Sequence, residues 1–200
     1  MGKRQIAAQQ TRQRILAAAE KLIRERGFER IGISDIAREA GVAKGSFYTY
    51  FRHKEDIVCE IAQTRFLTVE AAARAQQDVC TRIASFLTQS MRYIVETGLN
   101  ICQQWLKNVV EPEEEQGKQK LRYDTEVIRG LIADAAACGE LRVDTPSEAL
   151  AACIAAEYYG AVALWAITDG DSDPVVILEN FGSHALRAIL EPYRNERSSE

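Results

Sequence analysis

Apolar positions recur at spacings of three and four along nearly all of this 200-residue chain, and no strand-like alternation is sustained. The first stripe, Ile15, Ala18, Ala19, Leu22 and Ile23, predicts an amphipathic helix over 9–26 that Gly27 closes, with Phe28 as a core plug. Residues 1–8 read as a flexible basic arm. A short helix follows over 35–40, with Ser34 as its N-cap and Gly41 at its end, then a second over 45–51. A longer helix begins at Lys54 and passes Phe66. The first three helices are too short to stand alone and must pack on one another. Further helices are predicted over 79–96, 99–110, 118–138 (closed by Gly139), 147–168 (entered through Thr145-Pro146) and 174–193. Glu111-Pro112-Glu113-Glu114-Glu115 reads as a loop, Asp169-Gly170-Asp171-Ser172-Asp173-Pro174 as a turn, and 194–200 as a frayed tail. The pattern predicts an all-α chain of about nine helices. A three-helix N-terminal domain (1–54) precedes a larger helical domain (55–200).

Charge sharpens that division. Residues 1–54 hold 12 Lys/Arg against 5 Asp/Glu, a net of +7, whereas the other 146 hold 13 against 24, a net of −11. A basic head on an acidic body fits a region that meets a polyanion; a solvated helix surface is the alternative. Cys59, Cys80, Cys102, Cys138 and Cys153 form no C-x-x-C pair and read as reduced thiols of a cytosolic protein, although a redox-sensing role stays open. No signal-length apolar run follows the N-terminus, and Ile6 breaks a myristoylation motif after Met1-Gly2. The most apolar stretch, 149–167, carries Glu157 near its middle and reads as a buried helix, not a membrane span. A cytoplasmic protein without a membrane partner is expected. His53 and His184 are the only histidines, and neither a hydrolase pairing, a metal motif nor a Gly-rich phosphate loop is present. No enzyme, metal or cofactor is expected.

The most informative run is Ser34-Asp35-Ile36-Ala37-Arg38-Glu39-Ala40-Gly41-Val42-Ala43-Lys44-Gly45-Ser46-Phe47-Tyr48-Thr49-Tyr50-Phe51. Two short helices meet at Gly41-Val42: the glycine permits the sharp turn and Val42 fills the angle between them. This is a helix-turn-helix layout, whose second helix enters the DNA major groove. A helix advances about 100° per residue, so Phe47 and Phe51 share one face. Gly45, Ser46, Tyr48 and Thr49 then point outward, where small and hydroxyl-bearing residues suit phosphates and base edges. Lys44, just before the helix, can reach either.

These residues resemble the DNA-binding domain of the tetracycline-repressor-like (TetR/AcrR) family. The resemblance rests on Ile36-Ala37, Ala40-Gly41-Val42, Lys44-Gly45-Ser46-Phe47-Tyr48-Thr49-Tyr50-Phe51 and Lys54-Glu55, with Ile15-Leu16-Ala17-Ala18-Ala19 and Gly27-Phe28 upstream. It covers roughly residues 10–60; beyond them only Gly139-Glu140-Leu141 and the helix count match. The resemblance implies a bacterial repressor. Lys44 and Gly45 are implied for base contact, Ser46, Tyr48 and Tyr50 for phosphate contact, and Thr49 for either. Lys54 and Ser34 would hold phosphates at helix starts. Packing is the alternative for Tyr48 and Tyr50.

One short recognition helix reads few base pairs, so a homodimer on a near-palindromic double-stranded operator is expected. Its interface is placed on the last two helices, at Ala152, Ala156, Gly160, Leu164, Phe181, Leu186 and Ile189, as the resemblance also implies; packing of the alanine face within one subunit is the alternative. A small-molecule effector, unidentified, is placed among the middle helices by Cys102, Trp105, Tyr123, Tyr158 and Tyr159, residues that would otherwise be ordinary core. Glu157 is either paired with an arginine or set to recognise a cationic ligand. A DNA-binding protein of the same fold with another output (an activator, a nucleoid-occlusion factor or a protein-regulated factor) is the rival reading.

Overall fold

The computed structural model describes residues 3–110 and 115–195. Helices account for the regular structure among the described residues, and Leu141 and Arg194 add one isolated antiparallel bridge. The chain divides into two compact units, Met1–Leu67 with Glu96–Gly98, and Thr68–Val95 with Leu99–Glu200. The 111–115 loop expectation lies outside the described residues except at Glu115, where a helix begins.

The first unit holds α1 (Lys3–Arg26), a 3-10 turn (Phe28–Arg30), α2 (Ile33–Glu39), α3 (Lys44–Phe47) and the first turns of α4 (Lys54–Arg74). Helix α1 starts earlier than its apolar stripe predicts. Residues 5–10 are exposed, and no breaker lies between Lys3 and Ala8, so this extension follows helix propensity, not packing. Ile15, Ala19, Leu22, Phe28, Ile36, Phe47 and Phe51 are buried, as the periodicity requires. The unit boundary falls inside α4, not at residue 54. The reason is that Ile57, Ile61 and Phe66 are buried, and the Arg12–Glu60 and Arg65–Glu20 pairs fasten α4 to α1.

The second unit contains the end of α4, α5 (Val79–Thr97), α6 (Leu99–Val110), α7 (Glu115–Ala137), α8 (Ser147–Ile167), α9 (Pro174–Asn180) and α10 (Leu186–Leu190). A π-helical turn, Phe181–Ala185, joins α9 to α10 in one rod, giving nine helical rods among the described residues. Asp173 Oδ1 caps that rod by accepting from the Val175 and Val176 N–H groups. Ile83, Phe86, Leu87 and Met91 of α5, Ile128, Leu131 and Ile132 of α7, and Ile154, Tyr158 and Val162 of α8 form the core. Helix α8 is long and apolar enough to cross a membrane by length and composition, yet half of it is buried in this core.

The π turn buries two of the residues expected at the interface. Its Leu186 N–H donates to the Phe181 carbonyl, five residues back, and the wider turn brings both side chains onto one face. Phe181 and Leu186 therefore sit in this unit's own core, not on an exposed face. Asn195 is not frayed either: its Nδ2 donates to the Gly139 and Leu141 carbonyls.

Gly182 is the tight point of the π turn. A Cβ there would lie 2.9 Å from Ala84 Cβ. Gly182→Ala is therefore expected to destabilise the second unit by about 1–3 kcal/mol, with Ala84→Gly in the same chain recovering part of the loss. Urea unfolding followed by far-ultraviolet circular dichroism measures both.

Candidate nucleic-acid interface and buried polar cluster

The turn between α2 and α3 is built from backbone and one arginine. Gly41 has φ +64°, a conformation costly for any residue with a Cβ, and its N–H donates to the Arg38 carbonyl. Arg14 of α1 closes the end of α2: Nε and Nη2 donate to the Ala40 carbonyl (3.2 and 2.8 Å), and Nη2 also to the Gly41 carbonyl (3.0 Å). A cation there satisfies orphan carbonyls and opposes the negative end of the helix dipole. Arg14 was not singled out from the sequence. Its place one residue before Ile15, on the flank of the apolar stripe, was the available signal.

The cap expected at Ser34 is elsewhere. Helix α2 starts at Ile33, and the Asp35 carboxylate accepts from the Gly32 N–H at 3.0 Å, which holds its carboxyl below the usual range, helped by Arg38. Ser34 lies exposed in the first turn.

Helix α3 is one α-turn, tightened beyond Phe47 by a bond from the Thr49 N–H to the Ser46 carbonyl. Phe47 is 0% exposed and packs 5.7 Å from the Phe51 ring. Tyr48 stands edge-on to Phe47 but is 52% exposed, and Lys44, Gly45 and Thr49 are exposed with it. Ser46 and Tyr50 are half-buried at the rim. No side chain caps the start of α3.

Lys54 is held more firmly than expected. Its ammonium donates to the Phe28 and Ile31 carbonyls (3.0 and 3.1 Å) and lies 3.9 Å from the Phe28 ring centroid. Two of its three N–H donors are thus engaged within the unit. The start of α4 is capped instead by Asp56 Oδ2, which accepts from the Arg52 and His53 N–H groups.

In the second unit, five of the six residues expected around an effector lie in or beside one cluster. The Trp105 and Tyr159 rings stack at 5.8 Å with 21° between planes, and Tyr158 meets Tyr159 edge-on at 5.1 Å. Tyr159 donates to Asp124 Oδ2 (2.6 Å), which also pairs with the Lys120 ammonium (2.5 Å). Tyr123 donates to Glu70 Oε2 of α4 (2.7 Å), and Glu70 in turn pairs with Arg74, which reaches Asp134 of α7. Burial, reinforced by the carboxylates, pushes the Tyr123, Tyr158 and Tyr159 phenols well up. Burial alone takes the Cys102 thiol to about 11, so it stays protonated and a poor nucleophile. Burial also lowers the Lys120 ammonium, against the pull of Asp124. Asp124 and Lys120 went unrecognised in the sequence. Their signal was a charge i,i+4 pair leading into the Val127, Ile128, Leu131 stripe.

Glu157 is not part of this cluster. It precedes Tyr158 by one residue, about 100° around α8, and faces outward with Ala152, Ala156 and Gly160. Leu164, 50% exposed, continues that face, and a Cβ at Gly160 would meet open space. Ile189 is half-buried on α10.

Residues 15–61 match the model of the family described as bacterial regulatory proteins, tetR family. Over 45 residues, 22% of this chain and 23% of the relative, the sequence is 51% identical to the HTH-type transcriptional repressor NemR of Escherichia coli K12. The first curated relatives are matched over 23–33% of their own length. Likeness over the whole fold is broader. A TetR transcriptional regulator from Chloroflexus aurantiacus superposes with TM-score 0.62 at 26% identity, covering 94% of this chain and 98% of that one. The transcriptional regulator FadR of Bacillus subtilis, solved in complex with stearoyl-CoA, has TM-score 0.59 at 20% identity, covering 89% and 97%.

Removing the arginine clamp tests how the turn is held. Arg14→Ala is expected to cost the first unit about 1.5 kcal/mol, the scale of hydrogen bonds from a charged donor. Amide exchange at Gly41, Val42 and Phe47 should speed up; unchanged protection there would show the clamp to be idle.

Proposed function

Because the chain belongs to the TetR family of transcriptional regulators, we propose that it binds a near-palindromic DNA operator as a homodimer, represses transcription there, and releases the operator when a small molecule binds its second unit. It acts in the cytoplasm by binding, with no catalytic step. The observation that carries the DNA half of this reading is the bare surface at α3: Lys44, Gly45 and, in the turn that follows, Tyr48 and Thr49 are exposed while Phe47 is buried.

The roles follow from reach and donor chemistry. Lys44 and Gly45 meet base edges, the glycine by allowing close approach and the lysine as a donor to guanine. Ser46, Tyr48 and Tyr50 give hydroxyl donors to phosphates, and Thr49 serves either. Ser34 in the first turn of α2 and the remaining N–H of Lys54 at the start of α4 hold the flanking backbone. The exposed face of α8, Ala152, Ala156, Gly160 and Leu164, with Ile189 beside it, supplies the dimer contact: small residues admit a close helix and Leu164 gives bulk.

Release works by linkage. An effector that prefers the geometry unable to span two half-sites lowers operator affinity by its ratio of affinities for the two states. Helix α4 is unbroken from Lys54 to Arg74. Glu70 and Arg74, near its end, are tied to Tyr123 and Asp134 of α7. A ligand that moves α7 therefore pulls on the helix that begins at Lys54. That FadR was solved with stearoyl-CoA supports a ligand-bearing second unit in this fold.

Selection of duplexes from a random library by the full chain is the direct test, and an inverted repeat is the expected product. Lys44→Ala should then weaken binding to the selected duplex about tenfold and flatten base preference in one half-site position. No enriched sequence at low salt would sink the reading. Dimerisation is tested separately. Leu164→Glu should shift the sedimenting species from dimer to monomer and weaken operator binding, while Val143→Glu, at an exposed site off that face, should change neither.

A further inference from the structure

Two polar atoms of the second unit are buried without a partner in a place where the surrounding chemistry is otherwise complete. Asp124 is 1% exposed; its Oδ2 is engaged by Tyr159 and Lys120, while its Oδ1 has no hydrogen-bond partner. The Tyr158 hydroxyl, equally buried, also lacks one. Carboxylate oxygens left unsatisfied in a core carry the full cost of lost hydration. Beside them the Trp105 and Tyr159 rings lie nearly parallel, and both residues are half-buried.

We propose that this cluster is the effector site, and that it takes an uncharged planar aromatic molecule carrying an N–H or O–H donor. Asp124 Oδ1 accepts from that donor, and the ring extends the Trp105–Tyr159 stack. The inference rests on the proposed sensing role of the second unit and adds the chemistry of what is sensed. What Asp124 lacks is a donor and not a charge, because its negative charge already faces the Lys120 ammonium at 2.5 Å. A cation arriving beside Lys120 would meet repulsion, and an anion beside Asp124 likewise. Nearly parallel rings select a flat partner over a branched aliphatic one.

Indole and 1-methylindole form a matched probe pair, since methylation removes the only donor and keeps the ring. Calorimetric titration of the full chain should give indole at least about tenfold tighter binding, the worth of one hydrogen bond to a charged acceptor. A triple variant, Lys120→Met with Asp124→Leu and Tyr159→Phe, replaces the ion pair and its donor by apolar groups of similar size and should erase that preference. A purely steric effect of the methyl group would persist in it. Trp105→Ala, at a half-buried position outside the ion pair, should weaken both probes about tenfold, and with its fold checked by circular dichroism it carries the test if the triple variant does not fold. Equal affinities in the wild type, a preference that survives the triple variant, indifference to Trp105→Ala, or no binding at millimolar concentration overturns the proposal. Anisotropy of the selected duplex, measured in parallel, separates the two readings. Indole bound with the stated preference but without loss of DNA affinity supports the site and removes the effector response; absent indole binding with intact DNA binding removes the site alone.

Discussion

Phe47 has no exposed surface, and its burial against Phe51 sets the direction of every side chain around it. With about 100° between successive residues, hiding positions 47 and 51 turns Gly45, Tyr48 and Thr49 outward, and Lys44, the first residue of α3, is exposed with them. Truncating a buried phenylalanine costs about 3–5 kcal/mol, against a total stability of about 5–15 kcal/mol for a typical domain. The outward face is therefore held by a large share of what keeps the unit folded, and α3 needs little stability of its own. Its four residues could not persist alone. The angle at which it is offered comes from Gly41 and from Arg14, which locks the last carbonyls of α2.

That part of the molecule was legible in the sequence because period, turn residue and family motif all pointed the same way. The apolar stripe of α1, the Gly41-Val42 corner and the Phe47/Phe51 pair are local signals, and local signals survive without tertiary information. The start of α1 was misjudged because the stripe marks where packing begins, not where helix begins. Ser34 is a cap by residue type, but Asp35, one residue on, makes the bond to Gly32. Farther along, Phe181 and Leu186 are expected at the interface as bulky residues of the last helix, whereas a single π turn, which leaves no signature in composition, buries both. Gly182 hints at it only in hindsight: a residue without a Cβ is needed where the rod touches Ala84.

Helix α8 shows why apolar content alone misleads. Leu150, Ile154, Tyr158, Val162 and Trp165 occupy the core. On the other side Ala152, Ala156, Gly160 and Leu164 stand exposed, with Glu157 among them. A helix apolar all round belongs in a membrane, in a deep core or between two subunits. The two acids, Glu148 and Glu157, and the buried half argue against the first, and the open space over Gly160 argues against the second. The small residues of this face are the ones the proposed dimer would use, because they admit the close approach of another helix.

The Asp124–Lys120 pair poses the opposite problem, since polar residues in a core are poor stabilisers. Apolar residues of similar volume in place of a buried ion pair usually leave a protein as stable or more so. An orphaned carboxylate oxygen makes the arrangement worse still. Stability therefore does not account for Asp124, and Tyr158 compounds the case with a second unmatched atom. Such a cluster makes sense if the folded state without ligand is meant to be incomplete. A molecule that supplies the missing donor gains the hydrogen bond and relieves the desolvation cost already incurred, and it does so most fully in whichever conformation leaves Oδ1 unmatched. That difference between conformations is the quantity linkage requires: a ligand with equal affinity for two states shifts nothing, however tightly it binds. The ties from Tyr123 to Glu70 and from Arg74 to Asp134 fasten α4 one residue from Asp124, so in the proposed mechanism the helix that begins at Lys54 is held beside this imbalance.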